Sequence, residues 1–318
     1  MIELDLFVNS AGHRLAGTLC LPNDHGPHPV ALMVHGSGPL DRNENLPGQS
    51  LNAFNTIAHH LVQRGIASLR YDKRGCGESE GDFYRTGHHE LVEDAHRWLQ
   101  ELDSHPECRS DALYVLGHSE GTVIAPQLSD LEPSVAGLVL LCPFVEHFES
   151  VLLRQARQIE SELAGRNGPI GLLSNALFRL LGADVRTQAR LIARLRQSTT
   201  DYIWARLRKV PARWYRELFA LELPVVYSQV ECPVLLLGGE KDLQCRPEDV
   251  AEIAELLSGP VTAELVPDLT HLLRFDTGEA SLSRSRRLLA KPVEPLVIEA
   301  VSIWLEEQVN ELGQPAAS

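Results

Sequence analysis

Leu113-Tyr114-Val115-Leu116-Gly117-His118-Ser119-Glu120-Gly121-Thr122-Val123-Ile124 is the stretch that decides the fold. Four apolar residues run into a serine set between two glycines, and a helical apolar pattern follows over 122–128. This is G-x-S-x-G between a strand and a helix. A serine raised on a tight, strained turn at a strand end needs small neighbours, because a side chain at either glycine would collide with the adjoining strand or helix. The helix that follows points its free N–H groups and its dipole at the serine, which favours developing negative charge there. Ser119 is therefore the candidate nucleophile, and the backbone N–H of Glu120 is placed to donate to an oxyanion.

Working outward, short apolar runs recur at 30–34, 66–71, 112–116, 136–141 and 234–237, most of them separated by segments of helical period such as 51–64 and 90–102. That alternation predicts β-α-β units and a mostly parallel central sheet with helices on both faces. Before it, residues 2–8 alternate apolar and polar, turn chemistry follows at 9–12, and 14–21 reads as the return strand of a hairpin. One interval breaks the rhythm. About ninety residues lie between the strands ending near 141 and starting at 234, far beyond an ordinary crossover. Its pattern is helical over 150–163, 170–181, 185–196 and 202–221, so an inserted helical cap is expected over the C-terminal edge of the sheet. The expected organisation is an α/β core over 1–146, a cap over 147–230 and the rest of the core over 231–318. The cap carries 13 basic and 7 acidic residues against 16 and 36 elsewhere. A basic lid on an acidic body accounts for this, with most arginines solvated; selection of an anionic substrate is the sharper alternative.

An acyl-transfer site needs a second backbone donor facing the nucleophile. The run at 30–34 leads into His35-Gly36-Ser37-Gly38-Pro39, and Ser37 is chosen for that donor. His35 reads as a loop-stabilising residue rather than a base. Asp41, Arg42 and Glu44 fall near the mouth, where they could bind substrate or pin the cap. Chain order for such a site is serine, acid, histidine. Gly238-Gly239-Glu240-Lys241-Asp242 follows one strand, and Pro267-Asp268-Leu269-Thr270-His271 follows the strand at Val261–Val266. Asp242 and His271 fit the acid and the base, with Glu240 and Asp268 as rivals for the acid.

These five motifs, with Tyr71-Asp72-Lys73-Arg74-Gly75-Cys76-Gly77-Glu78-Ser79, resemble the α/β-hydrolase superfamily, most of all bacterial carboxylesterases with an inserted cap, near the dienelactone-hydrolase and acyl-thioesterase branches. The resemblance implies an α/β-hydrolase fold and a two-step acyl transfer, in which Ser119 attacks, His271 takes its proton, and Ser37 and Glu120 hold the oxyanion. A serine where dienelactone hydrolases use cysteine shifts weight toward oxygen esters of small or medium acyl groups. An acyl-CoA thioesterase or a peptidase is the alternative, and a silent hydrolase fold that only binds is the reading of another class.

Other features exclude partners. The net charge of −14 argues against nucleic acid. No basic leader and no run of roughly 18 apolar residues is present, so no signal peptide and no membrane span are expected. Six cysteines without a C-x-x-C pair suit neither a zinc site nor a disulfide framework, and a reducing cytoplasm is the simplest compartment. No metal and no cofactor are expected. His88, His89, Glu93 and His96 have a helical spacing but lack further ligands. Gly75-x-Gly77 lacks the third glycine of a dinucleotide loop, and Asp72 reads as holding a glycine-bent loop. A C-terminal helix over 293–309 offers a face for a homodimer.

Overall fold

The strands at 30–34 and 112–116 are apolar at every position, so each can be buried only if both sides of the sheet are covered. The computed structural model of the protein, which describes residues 1–164, 184–281 and 285–313, arranges them that way. The central sheet contains β1 (Ile2–Ser10), β2 (His13–Leu21), β3 (His28–Val34), β4 (Ala67–Tyr71), β5 (Cys108–His118), β6 (Val135–Leu141), β9 (Val234–Gly239) and β10 (Val261–Val266) in the order β1-β2-β4-β3-β5-β6-β9-β10. β1 and β2 form the antiparallel hairpin, β2 is antiparallel to β4, and the remaining pairs are parallel. This is the α/β-hydrolase architecture, a mostly parallel sheet between helices.

Alternation along β3 shows how the layers are made. Ala31 and Met33 face a core shared with α1 (Ala53–Gln63) and α10 (Pro295–Leu312), through Phe54, Ile57, Val301 and Trp304. Leu32 and Val34 face the opposite core, with α2 (His88–Ser104) and α3 (Gly121–Leu131) contributing Trp98, Leu99, Val123 and Leu128. Leu32 is fully buried, and its truncation to alanine would cost about 2–5 kcal/mol. On that second side α8 (Asp249–Leu256) adds Ile253.

Between β6 and β9 the described chain forms α4 (Phe148–Ala164), α5 (Val185–Gln197), a small hairpin of β7 (Ile203–Ala205) and β8 (Arg208–Val210), α6 (Ala212–Phe219) and α7 (Leu223–Ser228). A last short helix, α9 (Ser285–Leu288), precedes α10. The helix expected over 170–181 lies outside the described residues. The helix expected over 202–221 is corrected. Arg206 and Leu207 take positive φ, at 47° and 65°, a pair of left-handed residues that closes a two-residue hairpin and cannot belong to a helix. Pro211 then ends the hairpin, and α6 starts one residue later. A second proline has the opposite use. Pro126 inside α3 lacks the N–H that would serve the Thr122 carbonyl; the Tyr227 hydroxyl lies 3.2 Å from that oxygen and 3.0 Å from Phe144 O, its single proton shared between them.

Candidate active site

β5 delivers Ser119 at its C-terminal end with φ 52°, in the left-handed region. Such a residue persists only where its surroundings over-determine it. They do so here. A Cβ on Gly117 would come 2.2 Å from Gly121 O, and a Cβ on Gly121 would come 2.0 Å from Val34 O. Ser119 N–H donates to Leu141 O (3.0 Å), which locks the turn to the neighbouring strand end.

The loops after β9 and β10 bring two side chains to this serine. His271 Nε2 lies 3.0 Å from Ser119 Oγ, and Nδ1 lies 2.8 Å from Asp242 Oδ2. A carboxylate only accepts, so Nδ1 carries the proton and the Nε2 lone pair faces the serine hydroxyl. Asp242 is buried; burial alone would raise its pKa, but the His271 ring beside it and the N–H groups of Gln244 and Cys245 on its other oxygen hold it below the usual range. The rival acids stand elsewhere. Glu240 is exposed, and Asp268 is paired with Lys241.

Ser37 and Glu120, the two expected oxyanion donors, flank the serine. A Cβ on Gly36 would meet Ser119 Cβ at 3.1 Å, so the 35–39 loop rests directly against the nucleophile turn. The N–H groups of Ser37 and Glu120 have no hydrogen-bond partner among the described residues. His35 donates from Nε2 to Tyr71 O (2.6 Å), and burial pushes its pKa down to about 4, so it is neutral and holds the loop to β4.

His118, Lys73 and Trp214, which the sequence did not single out, complete the surroundings together with Glu44 and His88. Glu44 Oε1 accepts from Gly36 N (3.1 Å) and from His118 Nδ1 (2.6 Å), while His118 Nε2 donates to His271 O (3.0 Å). Both partners of His118 are acceptors, so both ring nitrogens carry protons and the ring is an imidazolium. Burial would lower its pKa, but the Glu44 charge and hydrogen bond win and raise it. Lys73 Nζ, also buried, donates to Gly36 O (2.6 Å) and Glu120 Oε2 (3.1 Å). Trp214 Nε1 donates to Glu120 Oε1 (2.5 Å). His88 faces the same oxygen with Nδ1 at 3.5 Å, an ion-pair distance without hydrogen-bond alignment, while its Nε2 accepts from Gln127. Burial would raise the Glu120 pKa, but Lys73, His88 and Trp214 bring it down to about 2.

The remaining motifs find local work. Asp72 accepts from Arg42 N, Arg42 Nη2 and Glu78 N, and its carboxyl occupies the space where a Cβ on Gly77 would sit. Arg42 ties this loop to β1 and β2 through Asp5 and Thr18. Asp41 holds Asn43 and Asn45. His88 has gone to Glu120 rather than joining His89, Glu93 and His96 around an ion.

A cavity of about 380 Å³ opens beside Ser119 and His271. Gly36, Ser37, Glu44 and His118 border it below, and Phe148, Val151, Leu152, Gln155, Trp214 and Tyr215 come from α4 and α6. Its size falls in the ordinary range for a small-molecule site. No Lys or Arg lines it among the described residues.

A serine hydroxyl, a histidine and a carboxylate in one hydrogen-bonded row on this fold prompt a comparison with known proteins. The family model of serine aminopeptidase S33 hydrolases matches residues 47–278. The chain belongs to this family. Esterases recur among the proteins it resembles. The chain is 26% identical to esterase EstD of Thermotoga maritima over 308 residues, 95% of this chain and 67% of that relative. Among solved structures it resembles Est1E from Butyrivibrio proteoclasticus with bound ferulic acid, at TM-score 0.64 and 17% identity, covering 96% of this chain and 99% of that one. It also resembles acetyl xylan esterase 1 from Thermoanaerobacterium, at TM-score 0.57 and 17% identity, covering 96% and 83%. No helix of the described residues is long and apolar enough to cross a membrane.

Proposed function

We propose that this S33-family chain hydrolyses carboxylic esters of small or medium acyl groups through Ser119, His271 and Asp242. The observation that carries the proposal is the row Asp242 Oδ2, His271 Nδ1 and Nε2, Ser119 Oγ, at 2.8 and 3.0 Å, opening onto the cavity beside two unpartnered N–H groups. His271 takes the proton as Ser119 Oγ attacks the ester carbonyl, and Asp242 stabilises the imidazolium so formed. Ser37 and Glu120 N–H receive the oxyanion. The proton passes to the leaving alkoxide, water enters, and the same base drives its attack on the acyl-enzyme. The mostly apolar cavity wall fits an acyl chain, and the EstD likeness supports an ester as the substrate class. The fragment 147–230 acts as the cap, with α4 and α6 as its cavity-facing surface. A cytoplasmic setting suits six unpaired thiols. A homodimer through α10 would use its exposed Leu296 and Ile303, seven residues apart on one face, and light scattering tests it.

The family's own description motivates a second reading, cleavage of an amino-terminal peptide bond. Turnover of p-nitrophenyl acetate through octanoate, set against aminoacyl p-nitroanilides and acyl-CoA, separates the readings. Esters are expected to win, with fluorophosphonate labelling of wild type and none of Ser119→Ala. Equal labelling of both proteins, or of neither, would reject the serine mechanism; faster anilide cleavage would replace the ester reading by the peptidase one.

A further inference from the structure

A backbone N–H is a useful oxyanion donor only if it is aimed before the charge develops. The Ser37 N–H belongs to the same peptide plane as the Gly36 carbonyl. That peptide is trans, since Gly26-Pro27 is the cis bond of the described chain, so its N–H and C=O point in opposite directions. Whatever holds the Gly36 oxygen therefore sets the direction of the Ser37 hydrogen. The group holding it is Lys73 Nζ, at 2.6 Å. Lys73 comes from the loop after β4 and is 2% exposed, with its ammonium also on Glu120 Oε2 at 3.1 Å. Glu120 is pinned in turn by Trp214. The Gly36 N–H is separately tied to Glu44, so both peptide planes meeting at Gly36 are gripped by buried charges.

We propose that Lys73 is a positioning residue, which pulls the Gly36 carbonyl away from the cavity and so aims the Ser37 N–H at the oxyanion, with the Glu120 carboxylate fixing the ammonium. The two donors of the oxyanion site are thereby joined by one side-chain link: the residue that offers the second N–H also anchors the lysine that orients the first. This rests on the serine-hydrolase reading above. The competing role is simple neutralisation, in which Lys73 only offsets the buried charge of Glu120.

A double substitution separates the two. Lys73→Met alone leaves Glu120 buried without its cation and lowers stability under either role. Lys73→Met/Glu120→Gln removes both charges together. Neutralisation predicts that this pair matches Lys73→Gln/Glu120→Gln, which removes the same two charges, in both stability and kcat. Positioning predicts matched stability with kcat about 10-fold or more below that glutamine pair, on the scale of weakening one oxyanion donor. KM should change little, and the affinity for a trifluoromethyl ketone, which binds as a tetrahedral adduct, should fall by a similar factor. Lys73→Gln/Glu120→Gln keeps a donor for Gly36 O and is expected to recover part of that kcat at matched stability. If the methionine pair does not fold, Lys73→Leu/Glu120→Leu takes its place under the same two expectations. Equal kcat and equal inhibitor affinity in the charge-free apolar pair and in Lys73→Gln/Glu120→Gln would overturn the proposal while wild type still labels with fluorophosphonate. Failure of wild type to label at all would instead overturn the reading of Ser119, and this proposal with it.

Discussion

The floor and the roof of the cavity are built in different ways. On the floor, Ser119, Asp242, His271 and Ser37 each stand within a few residues of a strand end, and buried hydrogen bonds join their loops to one another. Overhead, α4 and α6 present Leu152 and the rings of Phe148, Trp214 and Tyr215, which pack on one another. Polar bonds also tie this roof to the core. Trp214 reaches Glu120, and Arg154 reaches the carbonyls of Leu243 and Gln244. Directional bonding holds reacting atoms to fractions of an ångström, whereas apolar packing sets volume and tolerates exchange. Chemistry should therefore fail on floor substitutions, and choice of substrate should move with roof substitutions.

The largest effect expected is on the floor. Asp242→Asn keeps the shape but lets the His271 tautomer reverse, and kcat should fall by about 10⁴-fold. Asp268→Asn breaks only the exposed pairing with Lys241 and should leave kcat within about 3-fold of wild type, as surface pairs of this kind contribute little. Steady-state kinetics on a p-nitrophenyl ester read both. Comparable losses in the two variants would mean that Asp268, not Asp242, orients the histidine in solution.

A smaller and different change is expected from the roof. Phe148→Ala enlarges the cavity beside the acyl chain. The kcat/KM ratio for octanoate over acetate should shift by about 10- to 100-fold, the scale of a few methylenes gaining or losing contact, while the acetate kcat stays near wild type. A uniform fall for every chain length would show that the roof serves the chemistry as well, and the contrast between the two regions would be lost.

The floor was largely legible in the sequence because its key residues are announced locally. Ser119 sits between glycines that its neighbours require, and Asp242 and His271 follow apolar strands in a fixed chain order. The links among the loops were not legible. Lys73 meets Gly36 and Glu120 across 37 and 47 residues, and nothing in the sequence shows that Lys73 and Arg74, at 2% and 3% exposed, are buried beside Asp72. Periodicity cannot say that charges are buried when their partners lie on other loops. Glu44 was noticed near the mouth, but its use became visible only with His118 beside it. In the roof, 202–221 carries apolar residues at helical spacing, yet a hairpin forms there because two adjacent residues adopt left-handed backbone, a choice to which apolar spacing is blind.

The smallest expected effect concerns how the floor holds together as pH changes. His118 is buried as an imidazolium between Glu44 and the His271 carbonyl, with Asp242 and the His271 ring also facing it; His35 and Arg274 act on Glu44 from its other sides. The folded pKa of His118 is raised above its ordinary 6.5. The resulting stability is fully present below that value and is lost as pH rises through the folded pKa. Glu44 is lowered from 4.5, so its share is present above that value and is lost as pH falls through its folded pKa. Wild type should show a Tm plateau between these ranges and a decline of about 1–2 °C on the alkaline side, the shift that about 1 kcal/mol gives in a chain of roughly 300 residues. In Glu44→Gln the ring loses its counter-charge and is buried neutral. Its Nε2–H can still serve the His271 carbonyl while Nδ1 accepts from the amide, so the alkaline decline should flatten. Differential scanning calorimetry from pH 6 to 10 on both proteins gives the comparison. Parallel curves would mean that the ring is neutral already in wild type and that the floor is held by shape rather than by this charge.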